Sequence, residues 1–485
     1  MSRFVTTIGL EIHAELKTKT KMFCGCLNDP EERRPNINVC PVCLGHPGAL
    51  PTINGDAVKK VISVGLALGG KIGNVSKFDR KSYFYPDLPK SYQISQYDEP
   101  LVLGGSLKGV RLTRIHLEED TGRLSHQLPG TIGRDKDHSY VDFNRSSMPL
   151  MELVTEPDIS SPEQAVEFAK ELQSILRYLG ASDADMEKGQ MRVEANMSIA
   201  EPGAKLGTKV EVKNLNSFRA VRDAINYEVE RQTKIIEGGG KVIQETRGWD
   251  ERGVTVSQRL KEQAHDYRYM PEPDLPPLLI SEDEIAELKA NLTELPEAKR
   301  NRFAQEYGLS PEQASLVTDD LLLSEYFEEA ASELAAEKLG KEPEIYQLLA
   351  NYVLTDLKGL MQKNQIDISG ISEKLTAANF AHLISLISLD KISSRTAKDM
   401  LVKMAETGSD PHDILKDSDL GQIHDESQLM KIVDKVIEST PKAVSDYKQG
   451  KVTAVEALVG RAMGELKGRG NPEVLRKLFA DRLSK

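Results

Sequence analysis

Four cysteines stand in two close pairs, Cys24-Gly25-Cys26 and Cys40-Pro41-Val42-Cys43, with thirteen residues between them. Two thiol pairs joined by a loop surround a tetrahedral thiophilic cation, most often Zn²⁺, and four thiolates close its coordination shell. No position is left for water, so this spacing predicts a structural metal. The chain has no other cysteine, which argues against a disulfide framework and for a reducing cytoplasm. The stretch Ile8–Leu16 just ahead alternates. Ile8, Leu10, Ile12, Ala14 and Leu16 share one face, and Glu11, His13 and Glu15 share the other.

The same period-two pattern recurs with the same chemistry. In Arg111–Asp120 one face carries Arg114, His116, Glu118 and Asp120, while Glu119 points the other way. In Met191–Ile199 the polar face is Arg192, Glu194, Asn196 and Ser198; in Lys209–Lys213 it is Lys209, Glu211 and Lys213. Glu152 interrupts the apolar run Pro149–Val154, where a carboxylate is costly unless paired or bound to a cation. A wet outer face accounts for any one of these strands. Carboxylates recurring with His and Asn form the donor set that holds Mg²⁺ and the phosphates around it.

Two further segments bear on ligands. Lys81–Gln93 packs aromatic residues and lysines around Pro86 and Pro89. It is either a loop packed by its own rings or a rigid aromatic and basic surface for a terminal base or phosphate of RNA. Gly65-Leu66-Ala67-Leu68-Gly69-Gly70-Lys71 has the spacing of a phosphate-binding loop. However, Ile72 follows instead of a hydroxyl residue, and the apolar run before it fits a buried helix end.

These faces need a scaffold, and composition divides it. Residues 1–280 hold 24 of the 35 glycines, 17 of the 23 prolines and the single tryptophan, Trp249, which predicts turns and strands. Ser161-Pro162-Glu163-Gln164 predicts a helix start with a capping box, and a second long helix runs from Asn216 toward Gly238. Beyond about residue 290 the periodicity is helical, with Thr376 and Ser393 or Ser394 as caps and Gly408 as a stop. The expected organisation is α+β: a cradle over 1–292, a helical domain over 293–407 and a small helical tail over 408–485. The chain's net charge is −12, yet residues 441–485 carry ten Lys/Arg against five acids. A local basic patch of this kind suits a nucleic acid that the whole chain would repel. No basic start leads into an apolar run, and no stretch reaches the ~18 apolar residues of a membrane span. A secretory signal and a membrane location are therefore not expected.

Taken together, several long motifs resemble one family, the B subunits of the aspartyl/glutamyl-tRNA amidotransferases (GatB/GatE). They include Ile8-Gly9-Leu10-Glu11-Ile12-His13, Lys77–Asp87, Ile115-His116-Leu117-Glu118-Glu119-Asp120, Asp142-Phe143-Asn144-Arg145 and Pro149-Leu150-Met151-Glu152. Val212–Ser217, Glu245-Thr246-Arg247, Tyr267–Asp274, Val459–Gly468 and Gly470-Asn471-Pro472 extend the likeness over the whole chain. The resemblance implies a cradle on an antiparallel sheet and a tail of the YqeY type. It also implies an enzyme that phosphorylates the side-chain carboxylate of Glu-tRNA(Gln) or Asp-tRNA(Asn) with Mg-ATP and displaces the phosphate with ammonia. The implied partners are the misacylated tRNA, an amidase (glutaminase) subunit that releases the ammonia from glutamine, and a small third subunit that wraps the pair. This chain has no amidase signature of its own.

Matched to the family's motifs, Glu11, His13 and Glu152 are the catalytic set. Glu11, His13, Glu118 or Glu119, and Glu152 hold Mg²⁺. Glu194, Glu211, Lys213, Asn214 and Arg247 line the phosphate and acceptor-end region, and Arg461, Lys467, Arg469 and Arg476 grip the tRNA body. Glu194 stands where many members have Asp, one methylene shorter, and some relatives lack the four cysteines. Two rival readings are a ligase for a small carboxylic acid and a non-catalytic, zinc-stabilised RNA-binding protein. The basic tail speaks against the first, and the carboxylate and histidine faces against the second.

Overall fold

The computed structural model describes residues 3–126, 135, 137–260, 264–339, 343–417, 426–449, 451, 453–466 and 470–483. It divides into two compact units, Met1–Pro296 and Glu297–Lys485.

The first unit is built on a sheet that has ten strands among the described residues. They are β1 (Val5–Glu15), β2 (Lys71–Ile72), β3 (Val102–Leu103), β4 (Ser106–Leu107), β5 (Val110–Glu119), β6 (Pro149–Thr155), β7 (Met191–Ala200), β8 (Val210–Leu215), β9 (Glu245–Trp249) and β10 (Thr255–Leu260). The order is β10-β9-β8-β7-β1-β6-β5-β3-β2, with β4 against β5. The pairs are antiparallel except β8 and β9, which run parallel. A parallel neighbour needs a crossover, and helix α3 (Phe218–Glu237) supplies it. The sheet is therefore mixed at one side where an antiparallel one is expected.

The apolar faces of the strands point to helices α1 (Gly55–Ala67), α2 (Pro162–Tyr178) and α3. Ile8, Leu10, Ile12, Val193 and Met197 join Val61, Ile62, Phe168, Leu172, Val221 and Ile225 in one core. Helix α1 runs through Gly65, which sets aside the phosphate-loop spacing; an added Cβ there would come within 2.6 Å of the Val102 side chain. Ser161 caps α2 by accepting the Gln164 N–H, but Gln164 Oε1 turns back to the Ser160 N–H. The reciprocal bond thus closes one residue earlier than the expected box. Helix α3 starts after Ser217, two residues beyond the expected start. Residues 81–93 are not one loop. Asp79–Ser82 pairs with both Tyr92–Ser95 and Met270–Pro271.

The second unit has two cores among its described residues. One gathers Phe303, Phe327, Leu349, Phe380, Leu383 and Met400; the other gathers Leu429, Val433, Leu458, Ala462, Leu475 and Phe479. Thr376 and Ser393 cap the helices Ala377–Ser388 and Ser394–Thr407, and Gly408 ends the latter in the left-handed region. Ile414 packs into the first core. Helix Pro411–Asp417, expected with the tail, therefore packs with the helical domain ahead of it, the connector.

Candidate active site

Strand pairing assembles the functional face. His13 on β1 lies opposite Glu152 on β6, which lies opposite His116 on β5. Glu11 lies opposite Glu194 on β7. Each side chain follows from the alternation in its own strand, and the register brings together residues more than a hundred positions apart. His13 Nε2 is 3.4 Å from Glu152 Oε2, 3.5 Å from Glu118 Oε1 and 3.9 Å from Glu11 Oε1. His116 Nε2 is 3.5 Å from Glu152 Oε2. Three sets of donor atoms, each within 4.8 Å of one another, overlap here: Glu11, His13 and Glu152; His116, Glu118 and Glu152; Glu11, Glu194 and Glu211.

The electrostatics show what this packing costs. Burial, then the charges of Glu152 and Glu194, push the Glu11 carboxyl up to about 7. Burial and Glu152 also raise Glu118. Burial opposes the charge of His13, but its hydrogen bond with Glu152 and the nearby carboxylates prevail and raise it to about 9. His116 goes the opposite way, pushed down to about 4 by burial. Glu152 is held well below the usual carboxylate range against its burial by His116, His13 and Lys81. Raised carboxyls at Glu11 and Glu118 mark crowded, buried like charges, which a cation held by the same oxygen and imidazole donors would relieve. His13 Nδ1 is buried without a hydrogen-bond partner.

A cavity of about 320 Å³ opens onto this face. Glu11, His116, Glu152 and Glu211 line it together with Lys81, Arg114, Lys213 and Tyr269. Lys213 Nζ sits 2.8 Å from Glu194 Oε2. Opposite Glu194 the β7–β8 register shifts, so that Lys213 and Asn214 face one residue; Asn214 takes φ +66° at this bulge. Burial opposes the charge of Lys81, yet Glu118, Tyr269 and Glu152 keep its pKa well above the ordinary lysine value. Its ammonium lies 5.0 Å from the centre of the Tyr267 ring. A second cavity, of about 400 Å³, is lined by Glu15, Arg33, Arg123, Arg145 and Lys188 and holds none of the clustered carboxylates or imidazoles.

Two expected residues, Glu119 and Arg247, lie elsewhere. Glu119 alternates to the other face of β5, where Lys90 and the Ile94 N–H (2.9 Å) take its carboxylate. Of the Glu118/Glu119 pair, only Glu118 joins the cluster. Arg247 alternates to the helix side of β9. It donates to Thr255 Oγ1 at 2.8 Å and lies 3.7 Å from Glu228, a carboxylate fully buried on α3. Its neighbour Thr246 faces the cavity instead and donates to Glu211 at 2.6 Å. Asn214 is exposed at the bulge. Conversely, His116, Arg114 and Lys81 enter the site without being singled out by the resemblance. His116 and Arg114 are readable from their alternation with Glu118; Lys81 is not, because the small sheet carrying it is a long-range pairing.

The four cysteine sulfurs all lie within 4.8 Å of one another, and none is in a disulfide. Cys40 and Cys43 sulfurs are 3.8 Å apart, about the edge of a tetrahedron with ~2.3 Å metal–sulfur bonds. Hydrogen bonding with Cys24 outweighs burial and pushes the Cys43 thiol down to about 5; Lys21 contributes. Lys21 is fully buried with its ammonium 3.9 Å from Cys43 Sγ and 3.3 Å from the Phe143 carbonyl oxygen. The loop docks through Asn144, which accepts the N–H groups of Ile37 and Asn38 at 2.8 and 2.9 Å. In the second unit, Arg461 is exposed and Arg476 is paired with Glu456 at 2.8 Å. Lys467 and Arg469 lie outside the described residues.

Comparison with known proteins identifies relatives of the chain. Residues 6–286 match the GatB/GatE catalytic domain and residues 325–483 the GatB domain. The chain is 47% identical to the B subunit of the aspartyl/glutamyl-tRNA(Asn/Gln) amidotransferase of Dehalococcoides mccartyi, over 99% of both chains. It is 45% identical to the Carboxydothermus hydrogenoformans B subunit over 100% of both, and 45% identical to that of Thermotoga maritima over 98% of both. Two family models in the right order and full-length identity at this level leave one assignment: the chain belongs to the GatB/GatE family of amidotransferase B subunits.

Proposed function

We propose that this chain amidates misacylated tRNA at the expense of ATP. The side-chain carboxylate of Glu-tRNA(Gln), Asp-tRNA(Asn) or both attacks the γ-phosphorus, and ADP leaves. Ammonia then adds to the acyl carbon, the bond to phosphate breaks, and a proton leaves the nitrogen with the departing phosphate. A carboxylate is a poor acyl donor and an acyl phosphate a good one, so the site must hold two anions together.

The observation that carries this reading is the cluster of Glu11, His13, His116, Glu118 and Glu152 on one buried sheet face beside a cavity with Lys81, Arg114 and Lys213. The carboxylates of Glu11, Glu118 and Glu152 fit a hard cation by donor type and, with His13 beside them, would hold Mg²⁺. When bound, Mg²⁺ neutralises phosphate charge and orients the transferring group. Lys81 keeps its proton and faces the phosphates as a fixed charge. Tyr97 and Tyr269, stacked with ring centres 4.2 Å apart, offer a flat surface to a base. The four cysteines would hold a structural Zn²⁺. The ammonia comes from a partner amidase, with a small third subunit in the complex. The basic tail grips the tRNA body.

The test is Glu152→Gln in the assembled complex. The substitution keeps the shape and removes the charge. Amide formation and tRNA-dependent ADP release should fall by about 10²–10³, while glutamine hydrolysis in the absence of ATP stays within about twofold. Turnover within about threefold of wild type would sink the assignment.

A further inference from the structure

The connector carries a second cluster of nitrogen and oxygen donors that the amidation chemistry does not use. His382 lies on the helix Ala377–Ser388, and Asp410 and His412 lie at the segment after Gly408. His382 Nδ1 is 3.3 Å from Asp410 Oδ2, and His412 Nδ1 is 3.2 Å from Asp410 Oδ1. The donor atoms of the three residues all lie within 4.8 Å of one another, and the two rings are 5.5 Å apart. Two donor atoms bound at ~2.0–2.1 Å in a tetrahedral shell stand about 3.3 Å apart, and each imidazole holds that spacing to one of the two Asp410 oxygens. The other nitrogen of His382, Nε2, faces Glu337 Oε1 at 3.9 Å, and Glu337 Oε2 accepts the Ser385 hydroxyl. At 3.9 Å the carboxylate acts by charge rather than by a hydrogen bond, favouring a proton on Nε2 and leaving Nδ1 to ligate. All four side chains are partly exposed, so a cation can enter from water.

We propose that His382, Asp410 and His412 form a binding site for a borderline first-row divalent cation, Zn²⁺ in particular, with Glu337 as the outer carboxylate. Two imidazoles and a carboxylate form the donor set that favours Zn²⁺, Cu²⁺ and Ni²⁺ over Mg²⁺. Three protein ligands leave a coordination position for water. The ion would clip the segment after Gly408 onto the helix Ala377–Ser388, just ahead of Ile414 and Leu415, which pack on the connector core.

The experiment is a Co²⁺ titration of the full-length chain. The thiolate cluster announces itself by sulfur-to-metal charge-transfer bands, so cobalt bound by nitrogen and oxygen is counted apart from it. The double variant His382→Ala/His412→Ala should lose one nitrogen/oxygen-bound equivalent and keep the thiolate bands. Glu337→Gln should weaken that equivalent about tenfold. In the unmodified chain, Zn²⁺ should protect His382 and His412 from diethyl pyrocarbonate, read peptide by peptide by mass spectrometry; this arm needs no variant. Unchanged stoichiometry in the double variant, or equal labelling of both histidines with and without Zn²⁺, overturns the proposal and leaves Asp410 as a hydrogen-bonding bridge between two imidazoles.

Discussion

At the scale of the residue, the cradle sheet is a set of ionisable groups that burial forces into compromise. Glu15 shows it apart from the cation cluster. Burial, then the neighbouring Asp120, push its carboxyl up to about 7 against the pull of Arg192, Arg145 and Arg123. The folded protein therefore binds this proton more tightly than the unfolded chain, whose value is 4.5. The linked stability is present below pH 4.5 and is lost as pH rises through about 7. Glu15→Gln removes this titration. Urea denaturation between about pH 5 and 7.5 should show a flatter decline of stability in the variant than in the parent. Parallel declines would show that Glu15 does not carry the slope.

At the scale of the element, the loop between β1 and α1 combines a four-cysteine cluster fit for a metal with a buried cation. A tetrathiolate zinc centre carries two negative charges, and Lys21 is a fully buried ammonium beside one of its sulfurs. Burying a charge is tolerable only when it is paired, so in the proposed zinc-bound centre the thiolates and Lys21 would stabilise each other. Lys21→Met keeps the stem and removes the charge. Zinc transfer to a chromophoric chelator should be about tenfold faster or more in this variant, and Lys21→Arg should recover most of the difference. Equal release rates in all three proteins would assign Lys21 to packing alone. The same loop is tied by Asn144 to the turn before β6, which connects the clip to the strand that carries Glu152.

At the scale of the whole molecule, there are two compact units, a strand-built cradle and a helical unit whose last helices are rich in Lys and Arg. The tail's charge is partly spent within itself. Arg476 pairs with Glu456, Arg482 with Asp434 and Lys435 with Glu465. Neutralising Arg461, Lys467, Arg469 and Arg476 together should weaken tRNA binding. The slope of log affinity against log salt should fall by about 0.7–0.9 for each phosphate no longer neutralised. Arg476 should contribute least. Filter binding across a salt series checks this, and an unchanged slope would remove the tail from tRNA recognition.

Much of the site was legible one strand at a time, because period two is a local property. Glu11 and His13, Glu118, Glu194 and Glu211 announce their shared faces through alternation with buried apolar neighbours, and Glu152 announces itself as an acid in an apolar run. The four cysteines announce their cluster through spacing alone. Tertiary structure decided what alternation within a strand cannot: which strands are neighbours, in what register, and which layer covers each face. Register placed His13 against Glu152 and Glu152 against His116. The parallel β8–β9 crossover put Arg247 beside the buried Glu228 on α3 and gave Thr246 the cavity side. A small sheet from distant segments brought in Lys81, and helix packing alone brought Asp410 and His412 to His382. Local pattern sets which side of a strand a residue occupies; what waits on that side is a matter of long-range packing.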